Sequence, residues 1–339
     1  MGRLFLDRSP ELMHSLFPEF TPRAPWWGGH LQTIGGMYPR RDGLDRYSAA
    51  RLTAVLQDGT GDRLLAMLHE PITRVVKPYL ILLIHGVSGS EDSSYVRASA
   101  SYFLELGFPV VRCNLRGAGP SREFCKRQYH AGSAGDLDCI IANLPAAATA
   151  EGIVAIGYSL GANILINFLA ERGDSSAIQA AVAVSSPLDL ALTAKRLAAW
   201  DNVVFQCAIL SQLKKDSLKP ASELTSAERH AITDARTLQD FDEHFTAPRN
   251  GFRGAADYYL RTSCGKSLGG VSVPTLVIHA LDDPLVPSAD YVNFPWQRNE
   301  NLLPLKSRSG GHVGFQGLDR RQAWHDLCAG LFLQRLRPR

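Results

Sequence analysis

The chain has 339 residues, 45% hydrophobic and 20% charged, which is room for one large α/β domain with an insertion or for two ordinary domains. A formal charge of +3 offers no concentrated basic face, so nucleic acid is not an expected partner. The six cysteines are scattered without a Cys-x-x-Cys pair, which argues against a zinc site or redox motif and for a reducing compartment.

The opening stretch MGRLFLDRSPELMHSLF mixes charges among its apolar residues, unlike the unbroken apolar core of a signal peptide. No run approaches the roughly 20 apolar residues of a transmembrane helix. The expectation is a soluble, cytoplasmic protein without an integral membrane segment. Residues 1–50 read as an arm packed on the core; Trp26, Trp27 and His30 either pack it against the sheet or line an acyl pocket. RLTAVL (51–56) and RLLAMLH (63–69) flank QDGTGD, a hairpin signal that predicts an antiparallel edge. PYLILLIHG (78–86), FPVVRCN (108–114), GIVAIG (152–157), IQAAVAVSS (178–186) and VPTLVIHAL (273–281) are short apolar runs suited to a parallel sheet buried on both faces. Helical patterns over 92–106, 134–147 and 160–172 alternate with them, so the fold class is α/β, with helices on both sides of a mostly parallel sheet.

Within this frame Asp136, three residues after Ser133, reads as a helix-start cap pair, and Arg116 as a member of a structural ion pair. From 188 to 265 the alternation gives way to helices around 190–199, 201–214, 222–232 and 252–262. Lying between two sheet strands, this region reads as a helical cap inserted into a core of residues 51–187 and 266–339, and inserts of that length carry function. Its apolar run would enclose an acyl chain, with Trp200 and Phe205 as candidate substrate-binding residues. LDRRQAWHDLCAGLFLQRL closes the chain as an amphipathic helix.

Residues 153–170, IVAIGYSLGANILINFLA, switch from strand to helix at Gly157–Tyr158–Ser159–Leu160–Gly161. Gly-x-Ser-x-Gly in that setting is a nucleophile elbow: the serine takes a positive φ, and neighbouring chain comes too close for side chains two residues to either side. A serine hydroxyl needs a base, and the base needs an orienting acid; on such an elbow both follow the serine in the chain. HALDDPLVP places Asp282 and Asp283 at the carboxyl end of a strand, and SGGHVGF places His312 in a glycine-rich loop. His279, inside the strand, reads as structural. The oxyanion of a tetrahedral intermediate requires two backbone donors, expected at Leu160 and at Val87 in HGVSGSEDS. A phosphate-binding loop is excluded: HGVSGSEDS has no lysine, and Leu260 stands where the glycine preceding Gly265–Lys266–Ser267 would be.

PWWGGHLQT (25–33), IHGVSGSEDSSY (84–95), NLRGAG (114–119), YHAG (129–132), GYSLGAN (157–163), DEHFTAPRNGFRGAADYYLRTS (242–263), ALDDPLVP and GGHVGF together resemble the α/β-hydrolase superfamily, within it the YheT-like esterases and their eukaryotic ABHD-type relatives. The resemblance implies a triad of Ser159, Asp283 and His312, with Asp283 favoured over Asp282 because it directly precedes the Pro-hydrophobic turn. It also implies cleavage of carboxylic esters, of short to medium acyl chains, with no cofactor and no metal. The partner expected is a small ester or a lipid-like substrate. Transfer of the acyl group to an alcohol, a lipase or phospholipase acting on glycerolipids, and a non-catalytic binding scaffold are the alternative readings.

Overall fold

The computed structural model describes residues 4–6, 16–38, 42–75, 79–319 and 322–338. Its strands are β1 (Leu4–Leu6), β2 (Ser48–Val55), β3 (Arg63–Glu70), β4 (Leu80–Ile84), β5 (Val110–Cys113), β6 (Ile153–Tyr158), β7 (Ile178–Val184), β8 (Thr275–Ala280), β9 (Leu302–Ser307) and β10 (Leu336–Pro338). The longer helices are α1 (Gly29–Met37), α2 (Ser94–Glu105), α3 (Ala134–Ala142), α4 (Leu160–Arg172), α5 (Leu190–Leu197), α6 (Val203–Ser217), α7 (Ser226–Asp234), α8 (Ala255–Thr262) and α9 (Trp324–Gln334).

Eight strands form one sheet in the order β2-β3-β5-β4-β6-β7-β8-β9. The β2–β3 and β3–β5 pairs are antiparallel and every later pair is parallel, which gives the hairpin edge and the parallel centre that the sequence predicts. Strand periodicity divides the core. Leu80, Leu82 and Ile84 pack on one face with α3 and α4, whereas Ile81 and Leu83 pack on the other with α2 and α9. Every residue of β4, β6 and β8 is buried, so the carboxyl ends of these strands are anchored on both sides.

Several local expectations are corrected. The helix expected over 134–147 stops at Ala142 and restarts as the single turn Ala146–Thr149, because Pro145 cannot donate the hydrogen bond that would continue it. Asp136 is not a cap partner of Ser133. Its carboxylate takes the Arg116 guanidinium at 2.8 Å, and the same guanidinium reaches Asp58 at 2.8 Å and Asp62 at 3.5 Å. β9 has no counterpart in the sequence reading, and the last helix gives way to β10, which pairs antiparallel with β1 so that Leu4 lies opposite Pro338.

Candidate active site

β6 enters α4 through Ser159, whose φ of 51° and ψ of −121° put it in the left-handed half of the map. This strain is held by close packing on both sides. A Cβ on Gly157 would lie 2.7 Å from Ala162 Cα, and one on Gly161 would lie 2.3 Å from the His85 carbonyl oxygen, so neither position admits a side chain. The Ser159 N–H donates to the Val184 carbonyl at 2.8 Å, which fixes the turn to β7.

Three loops at the carboxyl edge of the sheet converge on the hydroxyl. His312 Nε2 lies 2.8 Å from Ser159 Oγ, and its Nδ1 lies 2.9 Å from Asp283 Oδ2. A carboxylate only accepts, so the Nδ1 proton belongs to this bond and Nε2 is left to accept from the serine. The other oxygen of Asp283 accepts the N–H groups of Leu285 at 2.8 Å and Val286 at 3.0 Å. Burial works to push the Asp283 carboxyl up, but the charge and hydrogen bond of His312 outweigh it and hold the carboxyl below its ordinary range. Asp282 points elsewhere: its Oδ1 accepts the Gly311 N–H at 2.9 Å, and it does not reach the imidazole. His279 stacks on Tyr291 with ring centroids 3.8 Å apart and approaches Asp283 Oδ2 at 4.0 Å. Burial pushes it down to about 4, so it stays neutral beside the carboxylate.

The loop after β4 is held by alternate amides. Gly86 N–H donates to the Tyr95 hydroxyl at 2.9 Å and Ser88 N–H to the Tyr129 hydroxyl at 2.7 Å. Val87, between them, lines the same cavity as Leu160, Ser159 and His312. His85 braces the loop from below, with Nδ1 bonded to the Gly86 carbonyl at 2.8 Å and Nε2 accepting the Leu115 N–H at 3.1 Å.

That cavity has a volume of about 210 Å³ and lies between the sheet edge and the helices that connect β7 to β8. Leu190, Ala194 and Leu197 of α5 and Ile209 and Leu213 of α6 form apolar walls. The two aromatic residues expected to bind substrate are not among its lining. Trp200 is 87% exposed, and Phe205 is buried against Leu197, Ile209 and Ile232 inside the insert. One wall is polar: Asp242, on the π-helical turn Asp242–Thr246, accepts the Tyr259 hydroxyl at 2.8 Å, and burial pushes its carboxyl up to about 6.

A family model described as the α/β-hydrolase fold matches residues 79–315, from the strand before the Val87 loop to the loop of His312. The chain belongs to the α/β-hydrolase family. An abhydrolase domain-containing protein of Dictyostelium discoideum is 32% identical over 75% of this chain, in a match that spans 66% of that protein's own length. YheT of Escherichia coli, which carries an esterase name, is 29% identical over 88% of this chain and 87% of its own chain. Among solved structures, the Pyrococcus furiosus esterase Pf2001 superposes with a TM-score of 0.57 at 17% identity, covering 88% of this chain and 99% of its own, a likeness of fold.

The chain contains one supporting element that its sequence did not disclose as part of the site. α1 packs on the loop of His312, not on the sheet. Thr33 Oγ1 accepts the His312 N–H at 2.9 Å while donating to the Gly29 carbonyl at 2.7 Å. Gln32 donates to the Trp26 carbonyl at 2.6 Å and accepts the Gln316 N–H at 2.6 Å. A Cβ on Gly29 would fall 1.8 Å from the Asp282 carbonyl oxygen, so the same helix also abuts the acid loop. Trp26 leans on Tyr38 and Trp27 is exposed; neither residue lines the cavity. The signal available in the sequence was the pair Gln32–Thr33 inside PWWGGHLQT, polar residues in an otherwise apolar stretch.

Proposed function

We propose that the protein is a serine carboxylesterase acting on esters with short to medium acyl chains. The observation that carries this reading is the 2.8 Å approach of His312 Nε2 to Ser159 Oγ at the floor of a mainly apolar cavity. Ser159 Oγ attacks the ester carbonyl, and His312 takes the proton and returns it to the departing alcohol. Asp283 keeps the imidazole in the tautomer that accepts from serine and stabilises the imidazolium that forms. The N–H groups of Leu160 and Val87 receive the oxyanion, aided by the positive N-terminal end of α4 under Ser159. Water activated by His312 then releases the acid from the acyl-enzyme. The residue 188–265 insert serves as a cap that excludes bulk water, with α5 and α6 contacting the acyl chain. The esterase name of the Escherichia coli relative agrees with this chemistry.

The test is labelling with a fluorophosphonate, followed by turnover of p-nitrophenyl esters of increasing acyl length. The unmodified protein is expected to label and Ser159→Ala is not. Equal labelling of the two, or no labelling of either, rejects the assignment.

A further inference from the structure

α1 is inside out. In an ordinary surface helix the large apolar side chains face the core. Here the buried residues are Gln32, Thr33, Gly35 and Gly36, while Leu31, Ile34 and Met37 face outward, Met37 at 55% exposure. The polar inner face is explained by its hydrogen bonds to the His312 loop; nothing in the described structure covers the outer one. The apolar surface continues past the helix. Trp27 precedes it at 62% exposure and Tyr38 follows it. His30 stacks on Phe205 and lies 3.8 Å from Asp201, which joins α1 to the corner where Trp200, Val203 and Val204 are exposed. This surface adjoins the cavity, since Thr33, Gly36 and Met37 of α1 line it.

We propose that the outward face of α1, together with the Trp200–Val204 corner, is a docking site for a lipid surface that sets the cavity against the lipid layer. Three features favour this occupant. Residues 24–38 contain no Asp, Glu, Lys or Arg, and Asp201 in the corner is already paired with Arg196 at 2.6 Å, so the face carries no unpaired charge that a hydrocarbon-rich layer would have to desolvate. Its aromatic members are Trp27, Tyr38 and Trp200, side chains with an apolar body and one polar group that suit the boundary between headgroups and acyl chains. In the sequence the stretch is bracketed by Arg23, Arg40 and Arg41, and Lys195 is exposed on α5, a charge sign that matches anionic headgroups. A second protein molecule seated here would obstruct the cavity, whereas a lipid layer would supply it with substrate. That last argument rests on the proposed ester chemistry, but docking itself requires no turnover, so the two can fail separately.

The experiment uses full-length Ser159→Ala protein, which leaves vesicles intact, in co-sedimentation with vesicles of phosphatidylcholine alone and of phosphatidylcholine with phosphatidylglycerol. Sedimentation with the mixed vesicles is expected, and Ile34→Glu or Val204→Glu, on two separate elements, is expected to weaken it about tenfold. The same two substitutions in the Ser159 background should leave hydrolysis of soluble p-nitrophenyl acetate unchanged, which reports an intact fold. Quenching of tryptophan emission by vesicles of brominated phosphatidylcholine reads the contact without an acidic substitution. The proposal is overturned if the parent stays in the supernatant with both vesicle types and shows no quenching. It is also overturned if folded variants sediment as well as the parent, or if light scattering shows that the face closes a dimer which the variants break.

Discussion

Asp282 Oδ1 accepts the N–H of Gly311 at 2.9 Å, and this bond ties the loop after β8 to the loop that carries His312. Adjacent carboxylates therefore do different work: one spaces two loops, and the other meets the imidazole at 2.9 Å. Asp283→Asn is expected to lower kcat by roughly 10³–10⁴-fold, because an amide no longer enforces the productive tautomer. Asp282→Asn, which loses a charge-assisted bond without touching His312, should cost about tenfold at most. Measured on one p-nitrophenyl ester, the reverse ranking would exchange the two roles.

Thr33 acts on His312 through the backbone. Thr33→Val removes the acceptor for the His312 N–H while keeping the side-chain volume. A neutral hydrogen bond contributes about 1 kcal/mol net, so kcat should fall by about five- to tenfold with KM little changed, and Thr33→Ser should recover it. A change confined to thermal stability, with kcat intact, would make the helix a structural prop only.

Asp242 gives the cavity wall a pH-dependent cost. Burial raises its folded-state value from 3.8 to about 6, so the folded protein holds a proton that the unfolded chain has already released. Stability should therefore decline as pH rises from about 4 to about 6 and stay lower above that, a loss of about 3 kcal/mol at most. Asp242→Asn, which can still accept from Tyr259, should be more stable than the parent above pH 6 and no better below pH 4. Urea unfolding across that range is the measurement, and a gap independent of pH would refute the account.

Arg116 neutralises a cluster. Asp58, Asp62 and Asp136 all reach its guanidinium within 3.5 Å, and Asp62 and Asp136 are buried. Arg116→Met strands the buried carboxylates and should destabilise the fold by about 3–5 kcal/mol. Because the cluster lies outside the cavity lining, KM measured well below the melting temperature should not move.

What could be read from the chain follows the physics of each signal. Ser159 stood out because the hydrophobic period changes from strand to helix within five residues, and His312 because three glycines surround it. α1 escaped for the opposite reason: its buried face is polar and its exposed face apolar, so periodicity reports it backwards. The edge strand β9 contains Pro304 and Lys306, residues that weaken a strand pattern and are tolerated there because one side of the strand has no partner. The apolar bulk of Trp200 suits a cavity wall and an outer surface equally, and the structure leaves it 87% exposed. The Arg116–Asp136 pair joins residues 20 apart, beyond the reach of the local rule that assigned Asp136 to Ser133.

The brace on His312 also has a temporal meaning. His312 is separated from Ser159 by 153 residues, and the Thr33 that accepts its N–H lies 279 residues upstream. On a ribosome the elbow emerges long before the imidazole arrives, and the bracing helix emerges before both. A half-made chain thus carries Ser159 without its imidazole partner, and the contact between them forms only once sequence made later has come back to meet sequence made before it.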